Sequence, residues 1–444
     1  EVKSQNVVSS VKDIDTNTSF NDELTVNMGG TDEKVKITAD IRVPECDTMS
    51  VTEVERIPCT KEFKEKVIKA YFGDSQVYYY DYAHMTKKEL EEIIETLDRD
   101  NNSLSDDASE EILKWHDDMK TECTKALETA ADVWTEATEY DSCDDFVGKI
   151  GDTWFHLQFS RPDDDNSVLS GIQSYPLDRC VKSVSDGDPD ERSTKFDDGY
   201  VKQYGPKSLK EYDTVRYLNG DFIDGDLPVS DVNEANISFD EAKKKAGDFM
   251  QAIGIESMIK TGESDCEWEG YNKTEDNVYK EGDVHRAIWG YALEYSLGAD
   301  DVVYSKSLNV FDYSAYNKFC PMDCPGYETG SFNVNEYGVY RFDIAEPVSI
   351  VKKQQKVELL PVSNIYKIAR NELESHPDKY IVEADTQYRY LTLGYIRVKD
   401  SSDSQRFSYI PAWSLELLQR GEVESCPVFV NAIDGTVIEP EQIF

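Results

Sequence analysis

The side chains in this sequence whose types and spacing could support chemistry are alternating and paired carboxylates, two closely spaced cysteines and five histidines. Asp98, Asp100, Asn102 and Asp106, within LDRDNNSLSDD, follow a helical pattern and are similar to the opening of a calcium loop. Such a loop needs glycine at its sixth position and a bidentate glutamate at its twelfth. Those positions hold Ser103 and Ser109 here, so a solvated helix–helix turn is expected. Asp186, Asp188 and Asp190 also alternate; Asp197 stands at the twelfth position, but Glu191 occupies the glycine position. Cys320 and Cys324 flank Pro321-Met322-Asp323, wider than the two-residue gap of most zinc and redox sites. The expectation is two unpaired thiols in a turn, with a local disulfide as the alternative.

His84, His116, His156, His285 and His376 are isolated, with no HExxH or HxH spacing. His156 lies on the strand face opposite Phe155 and Leu157 and is expected at the surface. Serines are plentiful, but none stands in G-x-S-x-G or S-x-x-K in a strand–turn–helix setting, and there is no nucleotide-binding glycine loop. Acidic pairs such as Glu91-Glu92 and Asp144-Asp145 are frequent. With 89 Asp and Glu in the chain, a glycosidase-like pairing arises by chance, so it selects nothing. This reading assigns no catalytic, metal-binding or cofactor-binding residue and expects no cofactor.

The elements that would position any site are more legible. At 444 residues the chain is long enough for two or three domains, and 39% hydrophobic residues with 27 Tyr, 17 Phe and 6 Trp can build their cores. The net charge of −42 repels phosphate backbones and anionic lipid surfaces, which disfavours nucleic-acid and general membrane binding. No apolar run reaches the ~18 residues of a membrane span. Nine cysteines, an odd number without regular spacing, do not form a disulfide framework.

Residues 1–30 read as a polar flexible leader, expected to add little to stability. Val35, Ile37, Ala39, Ile41 and Val43 alternate as a half-buried strand. Thr60 caps a short helix stopped by Gly73, and Thr86 with Glu89 forms a capping box. Long helices are expected over 86–137, within an N-terminal α+β region spanning 31–236. Two helix–meander units follow, at 237–356 and 357–444. The first starts at the Ser238/Glu241 capping box and includes the alternating run from Ala287 to Leu297. The second starts with Ser363 as cap and ends on Asp434-Gly435, read as a tight hairpin turn with positive φ at its centre. The fold class is therefore α+β.

The C-terminal segment CPVFVNAIDGTVIEP, with the preceding YIPAWSLEL, resembles the closing strands of PepSY- or cystatin-like units, in which a helix packs on an antiparallel meander. With the polar leader, VKITADIRVP and the acidic Tyr-rich middle, the whole chain resembles uncharacterised secreted lipoproteins of anaerobic Gram-positive bacteria. The resemblance implies an extracellular, membrane-anchored protein, tethered by a lipid on a cysteine upstream of Glu1. It implies a non-enzymatic role, binding another envelope protein or a wall or extracellular polymer through the C-terminal sheets. The alternative is a carbohydrate-active hydrolase with carboxylates not identified from sequence.

Overall fold

The computed structural model describes residues 7–177 apart from 29, 104–109, 142, 152 and 163–166; residues 207–209, 214–218 and 232–299 apart from 256–257 and 272–284; residues 302–304; and residues 328–443 apart from 355, 381–386, 401 and 418–426. Its chain order begins β1 (Ser19–Met28), β2 (Thr31–Arg42), β3 (Val51–Arg56), α1 (Lys61–Phe72), β4 (Val77–Tyr79), α2 (Lys87–Ser103), α3 (Glu110–Leu127), β5 (Asp145–Ile150), β6 (Thr153–Ser160) and β7 (Gly171–Pro176). Next come β8 (Thr214–Leu218), β9 (Val232–Asn233), α4 (Phe239–Ile253), β10 (Met258–Tyr271), β11 (His285–Ala299), β12 (Val302–Val303), β13 (Thr329–Asn335), β14 (Gly338–Ala345) and β15 (Val348–Gln354). The last are α5 (Val362–Ser375), α6 (Pro377–Tyr380), β16 (Gln387–Asp400), β17 (Asp403–Leu417), β18 (Val428–Asn431), β19 (Val437–Ile438) and α7 (Pro440–Ile443).

The protein is α+β, and its strands fall into two mainly antiparallel sheets. The larger runs β4-β5-β6-β7-β14-β13-β11-β10-β8, with β9 and β12 joined to β11. The smaller runs β1-β2-β16-β17-β18-β19, with β3 and β15 attached. Neither follows a division at residue 236. Strands from the N-terminal half complete both meanders: β7 pairs with β14, and β2 lies parallel to β16. The reason is burial, because each four-stranded meander alone would leave its edge strand open and its helix too little surface to cover.

The caps read from sequence form. The Thr60 hydroxyl accepts from the Phe63 N–H at 3.2 Å, and the Ser238/Glu241 box closes in both directions. Ser363, however, lies inside α5, whose N-cap is Pro361. The long helix expected to reach residue 137 ends at Leu127. Beyond it the backbone pairs with β4 instead: the Ala137 N–H donates to Val77 and the Tyr79 N–H to Thr135. Helix propensity in this stretch yields to a strand edge that needs partners.

Ser19–Met28, read as leader, is a strand paired residue for residue with β2. Leu24 and Val26 are buried, Phe20 stacks on Tyr366 with centroids 4.0 Å apart, and Asp22 meets Arg370 at 2.5 Å. Its packed face is interrupted by Asp22, and its solvent face carries Asn21, Glu23, Thr25 and Asn27. That composition makes an edge strand read as a polar tail.

The closing hairpin is present but looser than a two-residue turn. Asn431 and Thr436 bracket a four-residue loop, with the Asn431 N–H donating to Thr436 at 2.8 Å. Only Gly435 has positive φ, +80°. A Cβ there would stand 2.8 Å from Ile368 Cδ1 and 3.2 Å from Leu360 Cδ1. Gly435→Val is therefore expected to cost about 1–3 kcal/mol through backbone strain and crowding of α5. Asp434→Asn keeps the oxygen that accepts from the Thr436 N–H and should melt close to wild type. Thermal melts of both variants check this order.

Two cores meet at a buried ionic seam. One lies under α1 and α4 against the larger sheet, the other under α5 against the smaller. Between them Arg397 approaches Glu328 at 3.7 Å, Arg56 pairs with Glu346 at 3.2 Å, and the Tyr409 hydroxyl donates to Glu328. Both guanidinium groups lie over the Phe407 ring. Burial pushes the Glu328 and Glu346 carboxyls up, and the arginines oppose that shift.

Candidate functional site

Among the described residues, a gathering of titratable side chains outside the seam surrounds the start of β5. In a strand, neighbouring residues project to opposite faces. Asp144 and Asp145, adjacent in sequence, accordingly enter two separate networks and never act as a carboxylate pair.

On the core side, α1 delivers Lys64 beneath the sheet, where it is fully buried. Its ammonium donates to the carbonyls of Tyr140 (2.9 Å) and Cys143 (2.7 Å) and meets Asp144 Oδ1 at 2.6 Å. Arg161 reaches the same carboxylate oxygen at 2.6 Å. One carboxylate oxygen held by cations from α1 and from the end of β6 ties these elements together, so this network is a clamp beside the start of β5. Cys59 lies 3.9 Å from Asp144, and burial raises its thiol pKa despite the Lys64 charge nearby. Burial pushes Cys143 up to about 12, which leaves it a thiol that donates to the Asp145 carbonyl. Asp81, beside Cys143, contacts His84 Nδ1 at 2.5 Å. The order is thiol–carboxylate–imidazole, the reverse of what a nucleophilic cysteine requires.

On the outer side, Asp145 Oδ1 lies 2.9 Å from His156 Nε2, and His156 Nδ1 lies 2.6 Å from the Tyr175 hydroxyl. With neutral imidazole, Nε2–H donates to the carboxylate and Nδ1 accepts the phenolic proton. The sequence expectation of an exposed His156 is not met, since it is only 5% exposed. Alternation located its face, but that face is itself covered. Tyr80 and Tyr175 pack edge-on against the imidazole, and Leu177 closes the cluster. Tyr175 itself is half-buried.

Beside the relay stands an aromatic group from three segments. Trp134 and Trp154 meet edge to face at 4.7 Å, Tyr78 lies 5.6 Å from Trp154, and Trp134 Nε1 donates to Glu89 at 2.8 Å. Tyr78, Trp134 and Trp154 are half-buried. Lys149 Nζ sits 4.9 Å from the Trp154 ring centre. Trp134 was read as part of a long helix, so nothing in the sequence brought it to β4 and β6.

No family model matches the chain, and no curated protein matches it. Among solved structures, an uncharacterised protein from Eubacterium rectale aligns over 97% of this chain and 96% of its own, at 12% identity and a TM-score of 0.34. The C-terminal domain of YpeB from Bacillus megaterium aligns over 86% of this chain and 96% of its own, at 7% identity and a TM-score of 0.24. Likenesses this distant carry no argument about a site.

The remaining sequence candidates separate. Residues 98–103 form the last turns of α2, so their backbone is helical and does not open a calcium loop; the side chains of Asp100 and Asn102 lie outside the described residues. Asp98 pairs with Lys120 across the α2–α3 hairpin. Glu91 and Glu92 face Lys87 and Lys88 one turn earlier. His116 is buried on α3, and His376 meets Glu372 at 2.9 Å on α5. Asp106, Asp186, Asp188, Asp190, Glu191, Asp197, Cys320 and Cys324 lie outside the described residues, as does the side chain of His285. Among the described residues, no three His, Cys, Asp or Glu side chains gather as a metal site would, and Cys59, Cys123 and Cys143 are free thiols.

Proposed function

We propose that this chain is a non-enzymatic binding protein of the cell envelope, held outside the cytoplasm by a lipid upstream of Glu1. The observation that carries the binding role is the half-buried aromatic group Tyr78, Trp134, Trp154 and Tyr175 on the outer face of the larger sheet. Aromatic side chains concentrate at recognition surfaces because they offer large apolar area at low entropic cost. This moves the candidate surface from the C-terminal strands to β4–β7. The anchoring rests on the resemblance of the sequence to secreted lipoproteins. Labelling of the protein in its own cells with a radioactive fatty acid tests it; label absent from the protein rejects it.

The relay supports a second reading, in which Asp145 orients His156 and His156 draws the proton from Tyr175 to make it a base or nucleophile. Two variants separate the readings in one experiment, co-sedimentation of the full chain with purified wall material plus assay of released sugars. Under the binding role Trp154→Ala loses at least about tenfold in retention, while Tyr175→Phe, which removes one hydroxyl, changes retention little and no sugar is released. Sugar release by the wild type that Tyr175→Phe abolishes would establish the hydrolase instead.

A further inference from the structure

The outer face of the larger sheet carries a polar row that sequence spacing does not reveal, because its members come from six strands of both halves of the chain. Strand register places Asp145 opposite Gln158, Gln158 opposite Gln173, Gln173 opposite Asp343, Asp343 opposite Ser331, and Ser331 opposite Glu294. The other face of these strands is core: Leu157, Ser174, Phe342, Phe332 and Leu293 are buried beneath the row. At the strand spacing of ~4.8 Å, the row crosses β5, β6, β7, β14, β13 and β11 over about 24 Å. Asp343, Ser331 and Glu294 are exposed, and Asp145, Gln158 and Gln173 half-buried.

One step along the strands lies a second transverse row of short side chains: Ser160, Gly171, Ala345, Thr329 and Ser296, also in register. On β6, β7 and β14 the longer Gln158, Gln173 and Asp343 stand beside Ser160, Gly171 and Ala345, which makes a step across these three central strands. On the opposite flank stand His156, Tyr175, Arg341 and Asn333, and the aromatic group closes the β4–β6 end.

We infer that this step seats an extended, neutral polysaccharide chain; the inference rests on the binding role proposed above and names its ligand class. The row offers side-chain amides, a hydroxyl and carboxylates, the groups that pair with sugar hydroxyls as donors and acceptors. Only three of the six row residues, Asp145, Asp343 and Glu294, are carboxylates, and a Lys- or Arg-rich peptide would favour a more continuous row of negative charge. The row itself holds no cation, Arg341 stands in the flanking row, and the chain carries −42 overall, so anionic wall polymers are repelled. Trp154 and Tyr175, half-buried at one end, add aromatic surface on which sugar C–H groups can pack.

The test is native gel electrophoresis of the full chain in gels containing soluble mixed-linkage β-glucan, with dextran sulfate and poly-L-lysine as comparison probes. β-Glucan should retard the wild type and dextran sulfate should not. The Gln173→Ala/Asp343→Ala double variant should bind β-glucan at least about tenfold more weakly, as expected for two lost polar contacts. Its melting temperature should match wild type, which separates lost binding from lost folding. Absence of retardation by β-glucan, or equal retardation of wild type and double variant, overturns the inference. Binding of poly-L-lysine that the double variant loses would also overturn the sugar assignment, while leaving the binding role of this face in place.

Discussion

Removing residues 1–28 should lower the melting temperature of the smaller sheet by more than about 10 °C. The deletion takes away β1, which buries Leu24 and Val26 and stacks Phe20 on Tyr366, together with Val11, which is 1% exposed. Three fully buried aliphatic side chains at ~1.5–3 kcal/mol each give about 5 kcal/mol as a working figure. A domain of ~150–250 residues loses ~2–4 °C per kcal/mol. The loss also uncovers β2, whose Val35, Ile37, Ala39 and Ile41 line the same core, and leaves β2 as a new sheet edge. Aggregation on heating should therefore begin earlier in the truncated chain. A fall of less than ~4 °C by scanning calorimetry would mean that β1 is not docked in solution.

The second large effect belongs to the seam. Arg397→Met should cost about 3–5 kcal/mol, because it strands the Glu328 carboxylate, 1% exposed, beside an apolar neighbour. The direction with pH follows from the carboxyl. Burial already holds the folded-state pKa of Glu328 above its ordinary value, so the folded state binds this proton more tightly than the unfolded state does. Its contribution to stability is fully present below the unfolded pKa of ~4.5 and is lost as pH rises through the folded value. Without Arg397 the folded value climbs further. The deficit of Arg397→Met should accordingly shrink between pH 7 and pH 5, and Glu328→Gln in the same chain should recover part of it at pH 7. Urea unfolding at both pH values reads this directly; a deficit that grows on acidification would contradict it.

Much of the architecture was legible because local signals agree with their surroundings. Thr60, Gly73, Thr86, Ser238 and Gly254 mark helix ends through side-chain and backbone chemistry that acts within a few residues. The strands with a clean apolar face, such as Val35 to Ile41 and Ala287 to Leu297, declared themselves for the same reason. What was not legible depends on partners distant in sequence. β1 has too few apolar residues to announce a strand, and its core contacts come from distant elements, β2, α5 and α6. Residues 128–137 look helical until the edge of β4 captures their backbone. The candidate site was hidden more thoroughly. Asp145, His156 and Tyr175 come from three strands, and Trp134 joins them from the end of a helical hairpin. The polar row needs the register of β7 against β14, a pairing between residues about 170 positions apart that no local pattern encodes.

The central claim is that this chain binds through the outer face of its larger sheet. Hydrogen–deuterium exchange of the full chain with and without purified wall polysaccharide tests it most directly. Added protection is expected on β4, β5, β6, β7, β14, β13 and β11 of that face and on the backbone around Trp134, and nowhere else. Protection that falls on β16–β18, or no change anywhere at saturating polymer, would contradict it.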